Sequence, residues 1–287
     1  MDVKALWQVF NVTPSAQPDP DKSLMNHKRL GVPAVAFDRI AKMLYWKLCF
    51  PESITVVPPL LQIVSGPFRG MRYTSRSNGS YHSCKVLGTY EKELHAVIES
   101  IQRQRYDTLV DIGAAEGYYA VGLAVTSAIG RVVAFEAEQR GRSLLAEIAT
   151  RNSLTIPIDI RGRCEPNDLI NVLEHSGRTL IICDVEGYEA VLLEPDLIPR
   201  LRDVSIIVEL HEFASRGIGE LLKERFFPSH AISEIASAPR TWADFPGKSR
   251  TSQLLPRKLA LRAMNEGRAQ LMAWLWMVPT AHRNAEP

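Results

Sequence analysis

The sequence contains, at residues 110–120, the run Val110-Asp111-Ile112-Gly113-Ala114-Ala115-Glu116-Gly117-Tyr118-Tyr119-Ala120. Its pattern predicts an apolar strand that turns at a glycine and continues into a helix. A glycine at such a corner can adopt positive φ and, because it lacks a Cβ, lets a ligand approach the backbone. The helix that begins near Gly117 points its free N–H groups and the positive end of its dipole at the same corner, which favours a carboxylate or phosphate. The corner is therefore a predicted cofactor site.

Three ligands use this kind of corner. The dinucleotide motif G-x-G-x-x-G needs glycine at positions 113, 115 and 118, but the chain has Ala115 and Tyr118 there, so close approach of a pyrophosphate is obstructed. A P-loop is excluded because no Gly-Lys-Ser/Thr follows. The third ligand is S-adenosyl-L-methionine (SAM). The pattern D-x-G-x-x-x-G from Asp111 to Gly117 resembles the first motif of the class I methyltransferases, which bind SAM.

The next predicted strand tests this resemblance, because SAM needs an acidic residue at its end to hold the ribose. The run from Arg131 ends in Glu136. A carboxylate accepts hydrogen bonds from both hydroxyls of an unphosphorylated ribose and repels a ribose phosphate. Glu136 therefore favours an adenosine ligand.

Composition indicates an ordinary globular protein. The chain has 287 residues, of which 46% are hydrophobic and 23% charged, enough for one large domain and an extension. A net charge of +2 gives no broad electrostatic signal for nucleic acid. No segment is apolar enough for a membrane span and no secretory signal is visible, which predicts a cytoplasmic protein. The cysteines are scattered, which argues for reduced thiols and against a structural zinc site: they are Cys49, Cys84, Cys164 and Cys183.

The first part of the chain, residues 1–84, is predicted to be an extension of the main domain, residues 85–287. The pattern from Pro33 to about Phe50 is compatible with an amphipathic helix. That helix either packs on the main domain or forms a lid over the acceptor pocket or a homodimer contact. Two short β-prone runs, Leu60–Val64 and Met71–Thr74, predict a hairpin. A further helix is predicted from an N-cap at Thr89 to about Gln104.

From residue 106 onward, apolar strands alternate with helical segments, which predicts right-handed crossovers and a buried parallel sheet. Predicted strands are 108–112, 131–136, 156–161, 179–184, 203–210, 230–238 and 271–278. Predicted helices lie near 117–127, 139–152, 166–175, 188–200, 221–227 and 252–265. The layout is that of class I methyltransferases: a Rossmann-like, mostly parallel α/β sheet with an antiparallel last strand and helices on both faces.

Two further strand ends carry acidic groups and a histidine. One continues into Asp184-Val185-Glu186-Gly187-Tyr188-Glu189, and the next ends in Val208-Glu209-Leu210-His211. Together with the glycine corner and Glu136, these runs resemble the FkbM-type methyltransferases over about residues 87–212. The resemblance implies SAM-dependent methylation, mostly of hydroxyl groups on sugars, polyketides and other small molecules.

The resemblance implies cofactor contacts from the corner, the strand ends and the segment before the first strand. The expected residues are Glu91, Asp111, Gly113, Ala114, Ala115, Glu116, Gly117, Tyr118, Glu136, Ala137, Cys164 and Asp184. Glu91 has an ordinary alternative role in the first turn of a helix. After the third strand the chain reads Gly162-Arg163-Cys164-Glu165 where many class I enzymes place an acidic residue against adenine, so the adenine contacts stay open.

Three residues are expected to be catalytic, because a neutral hydroxyl is a poor nucleophile that needs a base or a metal. His211 titrates near neutrality and is the first choice for the base, although a histidine satisfied by neighbouring backbone is an alternative. Asp184 is expected to orient the acceptor or the methionine amino group. Glu186 is a third candidate, or it charges a helix N-terminus together with Glu189. A divalent metal bound between Asp184 and Glu209 or His211 is conceivable, but nothing requires one and none is predicted.

Other functions stay open at this point. A nucleobase-amine methylase would need an Asp/Asn-Pro-Pro-aromatic run where this chain has Val185-Glu186, and a cytosine-carbon enzyme would need a Pro-Cys nucleophile, which is absent. Methylation of RNA ribose or of protein remains an alternative. So does a non-catalytic SAM-binding subunit, although Gly113, Glu136 and Asp184 are all present.

Overall fold

The computed structural model describes residues 61–74, 76–78, 80–246, 257–268 and 270–283. The helix predicted from Pro33 to Phe50 lies outside these residues. The predicted hairpin is present: β1 (Leu61–Gln62) and β2 (Arg72–Tyr73) pair antiparallel, with Leu61 opposite Tyr73.

Seven strands form one sheet in the order β5-β4-β3-β6-β7-β9-β8. Strands β3 to β7 run parallel, and β9 runs antiparallel to both β7 and β8. Because β4 and β5 extend to one side of β3 whereas β6 and β7 extend to the other, the order reverses between β3 and β6. The strands are β3 (Arg105–Ile112), β4 (Ala128–Phe135), β5 (Ile158–Arg161), β6 (Thr179–Cys183), β7 (Ser205–Leu210), β8 (His230–Ala236) and β9 (Ala273–Pro279). The predicted mostly parallel, Rossmann-like α/β sheet is confirmed.

Helices cover both faces of the sheet. Successive side chains of each central strand point to opposite faces of the sheet. In β3, Leu109 packs into the apolar cluster on one face and Val110 into the apolar cluster on the other. Among the described residues, none of the helices is both long and apolar enough to cross a bilayer. The helices are α1 (His82–Leu87), α2 (His95–Gln102), α3 (Tyr118–Thr126), α4 (Gln139–Arg151), α5 (Pro166–Glu174), α6 (Glu189–Leu192), α7 (Ile218–Phe226), α8 (Arg257–Ala263) and α9 (Thr280–Arg283).

The hairpin segment packs into the same core as the sheet. The ring of Phe68, in the β1–β2 turn, lies over Gly122 of α3, where a Cβ would come within 2.7 Å of the ring. Phe68 is 1% exposed and Tyr73 of β2 is fully buried. Residues 61–74 therefore cover the face of α3 beside the predicted cofactor corner.

Two helices differ from their predicted bounds. The helix predicted over 188–200 is only the short α6, followed by a 3-10 turn at Pro199–Asp203, because Pro195 and Pro199 cannot continue a helix. The helix predicted from Thr89 begins at His95 after a 3-10 turn at Lys92–Leu94, since Glu91 has a left-handed φ of 45° that ends any helix from Thr89. In the last predicted helix, residues 252–256 lie outside the described residues.

Candidate active site

A cleft of about 1030 Å³ opens at the carboxyl ends of β3, β4, β6 and β7. This is the place where ligands bind in open α/β sheets, because the strand order reverses there. Eight of the residues predicted for the site line the cleft: Gly113, Ala115, Glu136, Ala137, Cys164, Asp184, Glu186 and His211. The sequence-predicted strand ends are thus brought together at one edge.

The glycine corner is built so tightly that only glycine fits it. Gly113 has φ +85°, and a Cβ there would lie 1.7 Å from the carbonyl oxygen of Asp184. The N–H groups of Gly113 and Ala114 both donate to the carbonyl of Phe135 at 2.9 Å. Gly117 precedes α3 with φ +88° and packs against Leu145. These contacts fix the end of β3 against the ends of β4 and β6.

Glu136 ties the corner to the next strand. Its carboxylate accepts hydrogen bonds from the N–H of Ala115 and the N–H of Glu138, each at 2.7 Å. The side chain is mostly buried, 7% exposed, and lines the cleft. Gly141 of α4 lies beneath it, where a Cβ would approach Glu136 Cγ to 2.7 Å. A buried carboxylate with lone pairs facing a cleft is a hydrogen-bond acceptor for vicinal hydroxyls.

Glu116, expected to contact the cofactor, has a different position. Its side chain is fully buried outside the cleft lining, where it accepts hydrogen bonds from the Tyr73 hydroxyl, the Ser77 hydroxyl and the Lys85 ammonium, each at 2.6 Å. Burial alone would raise the pKa of this carboxyl, but the Lys85 charge and the hydrogen bonds hold it below its ordinary value. Glu116 therefore joins the hairpin segment and α1 to the corner.

Three other expected contacts also lie off the cleft. Tyr118 is 4% exposed and packs edge-on against Phe68 and Tyr90, with ring centroids 5.1 Å and 5.2 Å away. Gly117 and Ala114 do not line the cleft. The sequence alone does not show whether an apolar helical residue after the corner faces a ligand or the core. Here Tyr118 packs among the rings of Phe68 and Tyr90.

A second, small cavity of about 40 Å³ lies behind the corner. Four of the expected contacts that lie off the cleft line it, and all four are buried: Glu91, Asp111, Ala114 and Tyr118. Burial raises the pKa of Asp111 to about 7, and its Oδ2 has no hydrogen-bond partner in the described part of the chain. The Glu91 carboxylate accepts a hydrogen bond from the Tyr119 hydroxyl.

Arg268, which the sequence analysis did not single out, connects the walls of the site. Its guanidinium pairs with Glu91, Glu209 and Glu266, the last at 2.9 Å. Burial, Asp184 and Glu91 together raise the pKa of Glu209 to about 10, against the lowering effect of Arg268. No local motif marks Arg268, because only the insertion of β9 beside β7 brings it to this edge.

The ring of His211 is oriented by Glu189, a carboxylate that was expected only to charge a helix N-terminus. Nδ1 lies 2.6 Å from Glu189 Oε1, and Glu189 is fully buried. The His211 side chain is only 3% exposed, and its Nε2 lies 3.5 Å from Asp184 Oδ1 and 3.5 Å from Glu186 Oε2. Asp184, Glu186 and His211 therefore form one cluster at the cleft, hereafter the strand-end cluster.

Electrostatics in the strand-end cluster favour a charged imidazole. Burial lowers the pKa of His211, but the hydrogen bond to Glu189 and the neighbouring carboxylates outweigh that effect and raise it above its ordinary value. Burial and the charge of Glu91 raise the pKa of Asp184 to about 6, although His211 opposes this shift. The cluster is thus an acidic site with one basic nitrogen facing the cleft.

Comparison with known proteins gives structural matches only. No protein-family model matches the sequence, and no curated protein does. Precorrin 8W decarboxylase from Methanobacterium thermoautotrophicum is 16% identical with a TM-score of 0.43, covering 64% of this chain and 88% of that chain. Precorrin-6y C5,15-methyltransferase from Geobacter metallireducens is 12% identical with a TM-score of 0.43, covering 63% and 85%. An O-methyltransferase from Bacillus cereus, in complex with SAH, is 13% identical with a TM-score of 0.40, covering 62% and 77%.

Proposed function

We propose that this chain is a SAM-dependent methyltransferase of the FkbM type that methylates a hydroxyl group of a small molecule, such as a sugar or polyketide. The cofactor half of the proposal rests on the corner at Gly113 and on Glu136. Adenosine lies along the end of β4, with its ribose hydroxyls on the Glu136 carboxylate and its adenine toward Cys164. The methionine part then crosses Gly113 toward the end of β6.

The acceptor half rests on one observation, the strand-end cluster beside that path. Methyl transfer from the sulfonium to oxygen is an in-line displacement, and correct orientation of the reactants is worth up to about 7–11 kcal/mol. The acceptor hydroxyl lies between the methyl group and the cluster, and His211 accepts its proton as general base while the oxygen attacks the methyl group. Glu189 is a positioning residue, because it acts only through His211.

The test separates cofactor binding from turnover. Addition of S-adenosylhomocysteine (SAH) is expected to raise the melting temperature of the full-length protein. Glu136→Gln is expected to weaken SAH binding about tenfold or more, because a hydrogen bond to a charged group contributes about 1.5–3 kcal/mol. Glu224→Gln, the same change at an exposed residue of α7, is the control and leaves the affinity unchanged. An absence of SAH binding at millimolar concentration would overturn the proposal.

The acceptor is found by a screen of metabolite pools with SAM labelled on its methyl group. Once a product is identified, His211→Ala and Asp184→Ala are expected to keep SAH affinity while turnover falls by about 10²-fold or more. Equal losses of affinity and turnover would instead assign these two residues to the cofactor site. Transfer of label only to RNA or protein would reject the small-molecule acceptor while keeping the methyltransferase.

A further inference from the structure

The side chains of the strand-end cluster are spaced as ligands of a single ion. One nitrogen of His211 and one oxygen each of Asp184 and Glu186 all lie within 4.8 Å of one another. The two distances of 3.5 Å from His211 Nε2 are long for hydrogen bonds. They match two ligands on one metal, because bonds of about 2.0–2.2 Å at a tetrahedral angle separate ligand atoms by about 3.3–3.6 Å.

The orientation of His211 is an independent observation that points to a ligand. Its side chain is 3% exposed, and among the described residues the partners of Nε2 are the two carboxylate oxygens at 3.5 Å, which is beyond the usual length of a hydrogen bond. Glu189 Oε1 at 2.6 Å accepts a hydrogen bond from Nδ1–H, so that Nε2 faces the two carboxylates, and an ion bound there replaces the proton that Nε2 carries in the charged imidazole. Metal-bound histidines are held in this way by a carboxylate on the other ring nitrogen.

Charge in the cluster itself favours a cation. The carboxylates of Asp184 and Glu186 meet at His211 Nε2, whereas the nearby guanidinium of Arg268 is already paired with Glu91, Glu209 and Glu266. Like charges brought together in a partly buried site repel each other, and a divalent ion between them reverses that repulsion.

We propose that Asp184, Glu186 and His211 bind a divalent first-row transition ion, of which Mn²⁺ is the probe used below. One imidazole and two carboxylates suit such ions, and three protein ligands leave an open position. The inference rests on the proposed function and deepens it, because the acceptor hydroxyl takes that open position. His211 is then a ligand, in place of the general base expected from the sequence.

The reaction balances without further reagents. Coordination lowers the pKa of the acceptor hydroxyl, and its proton leaves to water. The oxygen forms a bond to the methyl carbon while the carbon–sulfur bond breaks, and its electron pair stays on sulfur. The products are the methylated acceptor, SAH and one proton.

The experiment measures Mn²⁺ binding to chelator-treated full-length protein by loss of the free-ion signal in electron paramagnetic resonance. One ion per chain is expected. Glu186→Gln and Asp184→Asn are expected to weaken binding at least about tenfold, and the Glu224→Gln control by less than about twofold. The Glu186 side chain is 76% exposed, so its variant is expected to fold, and circular dichroism checks this for all three.

SAH binding is followed by melting temperature in the same samples, with and without chelator. If SAH binds but Mn²⁺ does not bind below about 1 mM, the metal proposal is overturned and the proposed function stands. If Mn²⁺ binds and SAH does not, the proposed function fails instead. Mn²⁺ affinity that is equal in the control and in both cluster variants would likewise overturn the metal site.

Discussion

At the scale of single residues, the Lys85–Glu116 pair is the most deeply buried ion pair at the corner. The side chains are 3% and 0% exposed, and their charged atoms lie 2.6 Å apart. Removing one partner of a buried pair leaves an uncompensated charge. Lys85→Met is therefore expected to lower the free energy of unfolding by about 3–5 kcal/mol, measured by denaturant titration. Lys223→Met, which breaks a partly exposed pair with Glu220 and Glu234, is the control and costs less than about 1 kcal/mol.

The double variant Lys85→Met/Glu116→Gln tests the cause of that loss. Because glutamine keeps an acceptor for the Tyr73 and Ser77 hydroxyls without the charge, the double variant is expected to recover part of the stability lost in Lys85→Met. A double variant that is less stable than Lys85→Met would show that packing, and not the unpaired carboxylate, accounts for the loss.

Asp111 is one of the buried carboxyl groups whose ionisation costs stability. Burial raises the pKa of Asp111 to about 7 in the folded state, whereas an unfolded aspartate has a pKa of about 3.9. The folded state therefore holds the proton of Asp111 more tightly, so the contribution of Asp111 to stability falls as pH rises from about 4 to about 7 and is constant above that. Asp111→Asn is expected to reduce this fall by about 2–4 kcal/mol.

The measurement is the free energy of unfolding of the ligand-free protein at a series of pH values. Near pH 4 the wild type and Asp111→Asn are expected to be about equally stable, since Asp111 is then protonated in the folded state. Glu209, whose pKa is about 10, contributes to the same fall in both proteins, so the difference between them reports on Asp111. Parallel stability curves across this range would contradict the prediction.

At the scale of elements, local sequence patterns were enough to predict the strands and turns that those patterns encode. Strand β3, the turn at Gly113 and strand β6 follow from apolar runs and from a φ that only glycine adopts easily. The helix predicted over 188–200 is present only at Glu189–Leu192, because Pro195 and Pro199 cannot continue a helix. Elements that depend on their own residues were thus predictable. The ends of these elements were not predictable where a proline, or a residue with a strained backbone such as Glu91, interrupts them.

The candidate site was predictable only in its strand ends. Asp184 and His211 were expected together because parallel strands present their carboxyl ends at one edge. Glu189 was assigned to a helix N-terminus, since no local signal shows that β7 brings His211 back to it. Glu116 and Tyr118 were expected in the cofactor site because no local signal shows their partners. These partners, Lys85 and Phe68, come from segments before β3.

At the scale of the whole molecule, Arg268 joins three distant parts of the chain. Its guanidinium pairs with Glu91 before α2, with Glu209 in β7 and with Glu266 in its own loop, and it lies 5.3 Å from the ring centre of Trp274 in β9. The loop before β9 is also connected to the residue 91 turn by the bond from the Glu91 N–H to Glu266 at 3.0 Å and by Arg240, which pairs with both Glu93 and Glu266. One side chain therefore couples the late antiparallel strands to the turn at Glu91.

Arg268→Met is expected to loosen that connection locally, because Glu91 and Glu209 lose the charge that compensates them. Under native conditions, amide hydrogen exchange is expected to increase about tenfold or more in residues 90–94 and 264–268, while β3 and β4 keep their protection. Arg225→Met, which breaks a pair with Glu194 beyond α6, is the matched control, and its increase is expected near residues 190–194 instead. A uniform increase in amide exchange across the sheet in Arg268→Met would mean that Arg268 supports only global stability. Unchanged exchange at residues 90–94 would mean that Arg268 does not couple the residue 91 turn to the loop before β9.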